Sequence, residues 1–481
     1  MSCLKVTFLV PPAFEDKKPA ERTAGCTRMV YAMPNIYELT IAALLEKEGY
    51  NVAYEDFVLS DRNENDFIQF IKNDDSKIYC MWSVNLSINT DIQAFKYIME
   101  FNSDSTTIFM GPAPTYYSTQ FLIHPKGIVL RGEPETAIIN LLKAITTKES
   151  ISGIKGISFF EENQIYHNPS EKITQNLDEL PFPARHLINK YTYRNPKLKA
   201  SPYTAIVSSR SCPYKCIYCV PSSLTFAREI EYKLQHNKKP PVTLRSVENV
   251  IQEIEFIAKQ GYKAIAFVDD NFILNKKRLA TIASALKKHN FHWGCQARAD
   301  AIDEETAQIL ADAKCDYIDL GAESFNNEIL KYIKKSLTKE QVIETVQLLN
   351  KYEVPVKLNI LIGTSPLETK ETIEETVRET KKLKVSQIMF NIVAPFPGTE
   401  FYELAKKNNW IKGGDYVPTD VQRNSILTYP HLSSEEMEKI LFRSNISFFL
   451  RPDVIIQHIS KFRSFRDFGS AFKALMIKFF G

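Results

Sequence analysis

The chain has 481 residues, too many for one ordinary domain, and its 44% apolar content is enough to bury more than one core. Its 60 Lys and Arg against 57 Asp and Glu leave a net charge of +3, which carries no electrostatic signature for nucleic acid or another polyanion. The start, MSCLKVTFLVPP, lacks the charged beginning and small-residue cleavage site of a signal peptide, and no apolar run reaches membrane-spanning length, so a cytoplasmic protein is expected.

Residues 4–10 (LKVTFLV) predict a buried strand and 36–49 a helix ending at a glycine cap. A second strand follows in NVAYEDF, then a helix near 64–73, a strand at 77–82, a helix near 90–101, strands at 106–111 and 127–132, and a helix over 133–147. Strand and helix in turn imply a doubly wound, Rossmann-like parallel sheet, whose ligands bind beyond the carboxyl ends of the strands. Those ends carry Pro12, Ser83, Asn85, the loop from Gly111 to Thr115, and Gly132 with Glu133. Residues 151–200 change to a hairpin, ISFFEENQIYHN, and the Pro-rich LDELPFPARHL, and read as a connector.

A second alternating series begins near 201, with strands near 203–209, 263–268, 292–297, 316–321, 355–361 and 387–392. Helices are expected near 246–260, 276–289, 303–313, 339–352, 368–383 and 400–407. Six such units suit a partial (βα)6 barrel, open on one side, with its site at the strand C-termini. The barrel pattern spans 201–412, and 413–481 reads as a helical extension.

Of the eight cysteines, three cluster as SCPYKCIYC: Cys212, Cys216 and Cys219, directly after the first barrel strand. This does not resemble a disulfide framework. Three thiolates on a short loop suit three irons of a cubane cluster, leaving the fourth iron without a protein ligand. A structural zinc site would want a fourth protein ligand, which neither Cys295 nor Cys315 obviously supplies; zinc, or three incidental core cysteines, is the competing reading.

The C-x3-C-x2-C loop after strand one, with Tyr218 before its last cysteine, resembles the radical S-adenosylmethionine superfamily. The resemblance implies a 4Fe-4S cluster whose open iron chelates the methionyl group of S-adenosylmethionine and cleaves it reductively to a 5′-deoxyadenosyl radical. It further implies S-adenosylmethionine contacts at Tyr218, at Asp269 after the second strand, at Arg298 after the third for the methionyl carboxylate, at Glu323 after the fourth for the ribose, and at Gly363 beside adenine. For the Asp269 and Asp270 pair a helix-capping turn is the alternative, one that Asn275 would also provide. The sequence departs from the family in one respect: VPSSL follows the last cysteine where a Gly-Gly pair is common.

The preceding sheet, with GPAPT, RGEPE, LPFPAR, AES and PFPGTE in order, resembles the cobalamin-binding branch that contains magnesium-protoporphyrin ester cyclases, hopanoid-modifying enzymes and class B methyltransferases. That implies a cobalamin domain over 1–150, with Pro12, Ser83, Asn85, Gly111, Thr115, Gly132 and Glu133 as its contacts. The D-x-H-x-x-G signature is absent and no histidine precedes His124, so the cobalt would lack a histidine below it. The implied reaction is methylation of an unactivated carbon in a lipid or natural product, served by an electron donor such as flavodoxin or ferredoxin. Oxidation, cyclisation or rearrangement without methyl transfer is the alternative within the family, and a sensor without turnover the alternative outside it.

Residues 442–481 interleave Phe with Arg443, Arg451, Lys461, Arg463, Arg466, Lys473 and Lys478. A basic amphipathic helix on anionic lipid would explain this, giving peripheral membrane contact. A helix packing its Phe face against the barrel is the plainer expectation.

Overall fold

The computed structural model describes residues 4–14 and 18–451. The described residues pack as two compact units: one comprises those up to Pro213 with Cys219–Ala297 and Gln308–Tyr317, the other Tyr214–Tyr218, Arg298–Ala307 and those from Ile318 to Arg451.

In the first unit, β1 (Lys5–Val10), β2 (Asn51–Asp56), β3 (Ile78–Trp82), β4 (Thr106–Met110), β5 (Gly127–Leu130), β6 (Ile157–Glu161) and β7 (Gln164–His167) form one sheet in the order β2-β1-β3-β4-β5-β6-β7. The first five strands are parallel, and their side chains alternate between two cores. Phe8, Cys80 and Ile108 face one core with Leu39 and Leu141 of helices Ile36–Lys47 and Glu135–Thr147. Leu9, Tyr79 and Phe109 face the other with Phe67 and Phe95 of helices Glu64–Asn73 and Ile88–Phe101. Apolar residues on both faces are what a parallel sheet covered by helices requires. The doubly wound expectation holds.

The hairpin β6–β7 belongs to this sheet, because β6 pairs antiparallel with β5. Its two-residue turn places Glu162 and Asn163 at φ +48° and +62°, the backbone of a type I′ turn. The first unit therefore runs through the divisions expected at 150 and 201.

Of the second series, β8 (Tyr203–Ile206), a short β9 (Ser209–Arg210) paired with β10 (Thr243–Leu244), β11 (Ala264–Phe267) and β12 (His292–Ala297) lie in the first unit. β8, β11 and β12 are parallel, with Ile265 opposite Thr204 and Trp293. β13 (Cys315–Glu323) ends in the second unit, where β14 (Val356–Ile362) and β15 (Gln387–Ile392) run parallel beside it. Helices follow these strands, as a partial (βα)6 barrel demands. Asn275 does cap its helix, accepting the amide of Arg278 at 2.9 Å.

One feature was not expected, and another follows the plainer expectation for the extension. Ser223–His236, within the segment after the cysteines, is a buried helix packed on the loop helix Pro112–Tyr116. Ser434–Phe449 opens with a Ser433/Glu436 capping box and packs against β15, burying Met437, Leu441 and Phe448. The extension therefore begins by packing its apolar face on the barrel, whereas the basic tail from 452 lies outside the described residues. Among the described residues no helix is long and apolar enough to cross a membrane.

Candidate active site

β8 is fully buried and ends at Ile206; Ser209 and Arg210 make the brief pairing with β10, and from Ser211 to Pro221 the backbone has no regular structure. Cys212, Cys216 and Cys219 lie on this stretch, each half-buried and none in a disulfide. Cys212 and Cys219 belong to the first unit and Cys216 to the second.

Cations flank them in both units. In the first, burial opposes the charge of Lys239, but Glu229 and the thiolates Cys219 and Cys212 outweigh it and hold its pKa above the ordinary lysine value. In the second, burial likewise opposes Lys335, and Glu323 and Cys216 outweigh it. Lysines so placed offset negative charge on the loop. Cys26 lies apart from them, and burial and Glu21 push its thiol up to about 12. Among the described residues no three His, Cys, Asp or Glu side chains converge on a single metal ion; a cubane, taking one thiolate at each of three irons, does not ask for that. The donor set fits such a cluster.

Three of the predicted cofactor residues come together in the second unit. Glu323, buried at the end of β13, adopts φ +64°, a left-handed backbone that costs a non-glycine residue free energy. It receives the ammonium of Lys335 at 2.9 Å, and Lys335 also reaches the Tyr218 hydroxyl at 3.4 Å. Arg298 donates to the Lys335 carbonyl at 2.8 Å, stacks on the Tyr214 ring at 3.5 Å, and binds both carboxylate oxygens of Asp300 at 3.0 and 3.1 Å. Lys335, which joins these groups, was not predicted: in LKYIKKS it is one lysine among three, and nothing local says that this one is buried.

The other two are committed elsewhere. The Asp269 carboxylate, 1% exposed, takes the amide and hydroxyl of Ser208 and the hydroxyl of Ser209. Gly363 adopts φ +81°, and a Cβ there would meet Met437 Sδ at 2.8 Å, so the close approach its glycine permits is taken by helix Ser434–Phe449. Its amide donates to Glu368 at 2.7 Å and its carbonyl accepts the Tyr429 hydroxyl at 2.7 Å.

The strand ends of the first sheet divide in the same way. Pro12 is buried after β1. Thr115 ties two of the ends, donating to the Gly111 carbonyl at 2.8 Å and accepting the Gly132 amide at 3.1 Å. A Cβ at Gly111 would lie 2.6 Å from the Ser83 carbonyl, so only glycine lets these loops meet. Gly132 packs on Glu231 of helix Ser223–His236, and Glu133 is spent on Arg210 at 2.7 Å and the Thr174 amide at 2.5 Å. Ser83 Oγ and Asn85 Nδ2 differ: both are buried without a hydrogen-bond partner. Orphaned donors at the carboxyl end of β3 fit a ligand rich in amide and phosphate oxygens, as a corrinoid is.

A cavity of about 570 Å³ at Pro125, Ile151, Phe159 and Asn163 includes none of these residues, and its chemistry offers no competing site.

Residues 206–380, the stretch that holds this loop, match the Radical SAM superfamily. Over its whole length the chain resembles an uncharacterized methyltransferase, PH0819, of Pyrococcus horikoshii, with 28% identity covering 97% of this chain and 96% of that one. An anaerobic magnesium-protoporphyrin IX monomethyl ester cyclase of Cereibacter sphaeroides is 22% identical over 79% of this chain and 61% of its own. Among solved structures, the radical S-adenosylmethionine methyltransferase TsrM from Kitasatospora setae, with tryptophan substrate and a cofactor analogue bound, superposes with TM-score 0.65 and 16% identity over 85% of this chain and 77% of its own. The cobalamin-dependent radical enzyme OxsB, with aqua-cobalamin and S-adenosylmethionine bound, gives 0.63 and 18% over 94% of this chain and 62% of its own. The chain thus carries a Radical SAM domain over residues 206–380, in a fold similar to those of solved cobalamin-dependent radical enzymes.

Proposed function

We propose that the chain methylates an unactivated carbon of a small natural product or lipid, using a 4Fe-4S cluster, S-adenosylmethionine and cobalamin. The observation that carries this reading is the cysteine loop itself, three thiols in no disulfide, with Lys239 acting on Cys212 and Cys219 and Lys335 on Cys216, and with a doubly wound sheet earlier in the chain. The whole-length likeness to a methyltransferase supports methyl transfer over cyclisation. When bound, the cofactors would supply a 5′-deoxyadenosyl radical and a transferable methyl group.

The chain's own residues would do the binding. Cys212, Cys216 and Cys219 hold the cluster; Tyr218, Glu323 and Arg298, bound together through Lys335, present hydroxyl, carboxylate and guanidinium groups for the polar parts of S-adenosylmethionine. Gly363 would contribute backbone only, and Asp269 would act behind the cysteines. Residues 1–150 would carry cobalamin, chiefly through Ser83 and Asn85, with 201–412 as the barrel and a flavodoxin- or ferredoxin-like protein as reductant.

Anaerobic reconstitution tests this. The wild type is expected to be brown, with about four irons and four sulfides per chain, to bind corrin, and to release 5′-deoxyadenosine when given S-adenosylmethionine and dithionite. A Cys212→Ala, Cys216→Ala, Cys219→Ala triple variant that keeps its cluster would overturn the site, and zinc without sulfide would overturn the reaction.

A further inference from the structure

We propose that Asp269 and Asp270 are positioning residues that fix the two ends of the cysteine loop, Asp269 holding the incoming strand and Asp270 the outgoing turn. The inference rests on the reading that this loop carries the cluster.

The two carboxylates stand side by side after β11, their Cα atoms about 3.8 Å apart, and each grips a different side of the loop. Asp269 accepts the Ser208 amide at 3.1 Å, the Ser208 hydroxyl at 2.8 Å and the Ser209 hydroxyl at 2.5 Å, just before Cys212. Asp270 accepts the Ser222 amide at 2.6 Å, just after Cys219. Between the two clamps, Ser211 adopts φ +72° and donates its amide to Thr225 at 3.3 Å, joining the ends directly. A buried carboxylate is costly unless donors surround it, and the donors to Asp269 all come from the loop's incoming flank, whereas Asp270 has one oxygen on the Ser222 amide and the other buried without a partner. Free of regular structure, the loop would otherwise sample many arrangements of its thiols; pinning both ends on adjacent residues removes most of that freedom.

Residues that orient metal ligands without touching the metal usually change metal affinity by about 10- to 100-fold when replaced. The test uses the full chain with Asp269→Asn, Asp270→Asn and Ser209→Ala, the last deleting a single donor to Asp269. After anaerobic reconstitution, loss of absorbance near the cluster band is followed on adding an iron chelator. Both aspartate variants are expected to lose iron about tenfold or more faster than wild type, and Ser209→Ala by a smaller factor, at a temperature well below the lowered thermal midpoint of each metal-free variant. The double variant Ser209→Ala, Asp269→Asn should be no faster than Asp269→Asn alone, since both act through one bond. In the metal-free chain, Cys212 and Cys219 should be alkylated by iodoacetamide faster in the variants, as loosened ends expose the thiols.

Wild-type rates of iron loss and alkylation in the variants overturn the inference. If Asp269→Asn does not fold, Ser209→Ala and Asp270→Asn decide it by the same readouts. A wild type that takes up no iron and sulfide overturns the functional reading instead, and the alkylation rates still settle the clamp.

Discussion

Lys335 gives its ammonium to Glu323 at 2.9 Å, and the glutamate receives it from a left-handed backbone where the pairing of β13 with β14 shifts register between Gly321 and Glu323. Both side chains are buried, so removing one leaves the other charged and without its partner. Lys335→Met is expected to cost about 3 kcal/mol or more of stability, read as a lower urea midpoint at unchanged slope. A midpoint equal to wild type would mean that Glu323 does not depend on the lysine.

Gly321 makes room for that pair. A Cβ there would lie 2.5 Å from Glu323 Oε1 and 2.8 Å from Lys335 Nζ. These are the far ends of flexible side chains, which can move aside at modest cost, so Gly321→Ala should fold with a midpoint near wild type. The displaced pair should bind S-adenosylmethionine more weakly, by about tenfold on the scale of one lost charged hydrogen bond, in equilibrium dialysis of the reconstituted protein. Unchanged affinity would detach Glu323 and Lys335 from the cofactor.

Glu368 titrates with a sign opposite to that of an ordinary paired carboxylate. Burial pushes its pKa up to about 7, despite hydrogen bonds from Thr364 and the Gly363 amide. The folded state therefore binds the proton more tightly than the unfolded chain, whose carboxyl titrates near the ordinary value. Stability from this group is present at low pH and lost as pH rises from about 4.5 to about 7, a change of about 3 kcal/mol. Measured against Glu368→Gln, wild type should lose ground across that window and run parallel above it. A constant difference between the two from pH 4.5 to 7 would show that Glu368 stays ionised.

The strand-helix alternation and the cysteine spacing were legible because both are local patterns. Arg298 and Glu323 were readable as candidates from their strand ends, and Tyr218 from its place before the last cysteine. What joins them was not, because the burial of Lys335 depends on the turn after helix Asn327–Tyr332 rather than on its own neighbours. Asp269 was legible as a strand-end carboxylate but not as a clamp, since its serines follow β8, which parallel pairing from Ala264–Tyr203 to Phe267–Ile206 sets beside β11. Gly363 was legible as a close approach, yet the approaching group is Met437, brought by a helix far along the chain. Helix Ser223–His236 was missed because its buried face carries Arg228, Glu229 and Glu231 beside Leu224, Phe226 and Ile230, and with it went the contacts of Gly132 with Glu231 and of Glu133 with Arg228.

Those last residues divide the corrin expectation into two classes with opposite outcomes. Glu133 is paired to Arg210 at 2.7 Å, and Arg210 also meets Glu135 at 2.6 Å, all three buried. Removing Glu133 disturbs a buried charge network, so Glu133→Ala should destabilise the chain by about 3 kcal/mol, while the chains that remain folded keep their corrin. Ser83 and Asn85 instead bury polar atoms that bond to nothing in the chain, so the loss of those atoms costs the metal-free fold little. Replacing both by Ala should leave the unfolding midpoint of the corrin-free protein unchanged and lower corrin retention on gel filtration by about tenfold, the scale of one or two hydrogen bonds lost to a ligand. Corrin loss in Glu133→Ala with full retention in the double variant would reverse the assignment, moving the corrin contacts from the end of β3 to the end of β5.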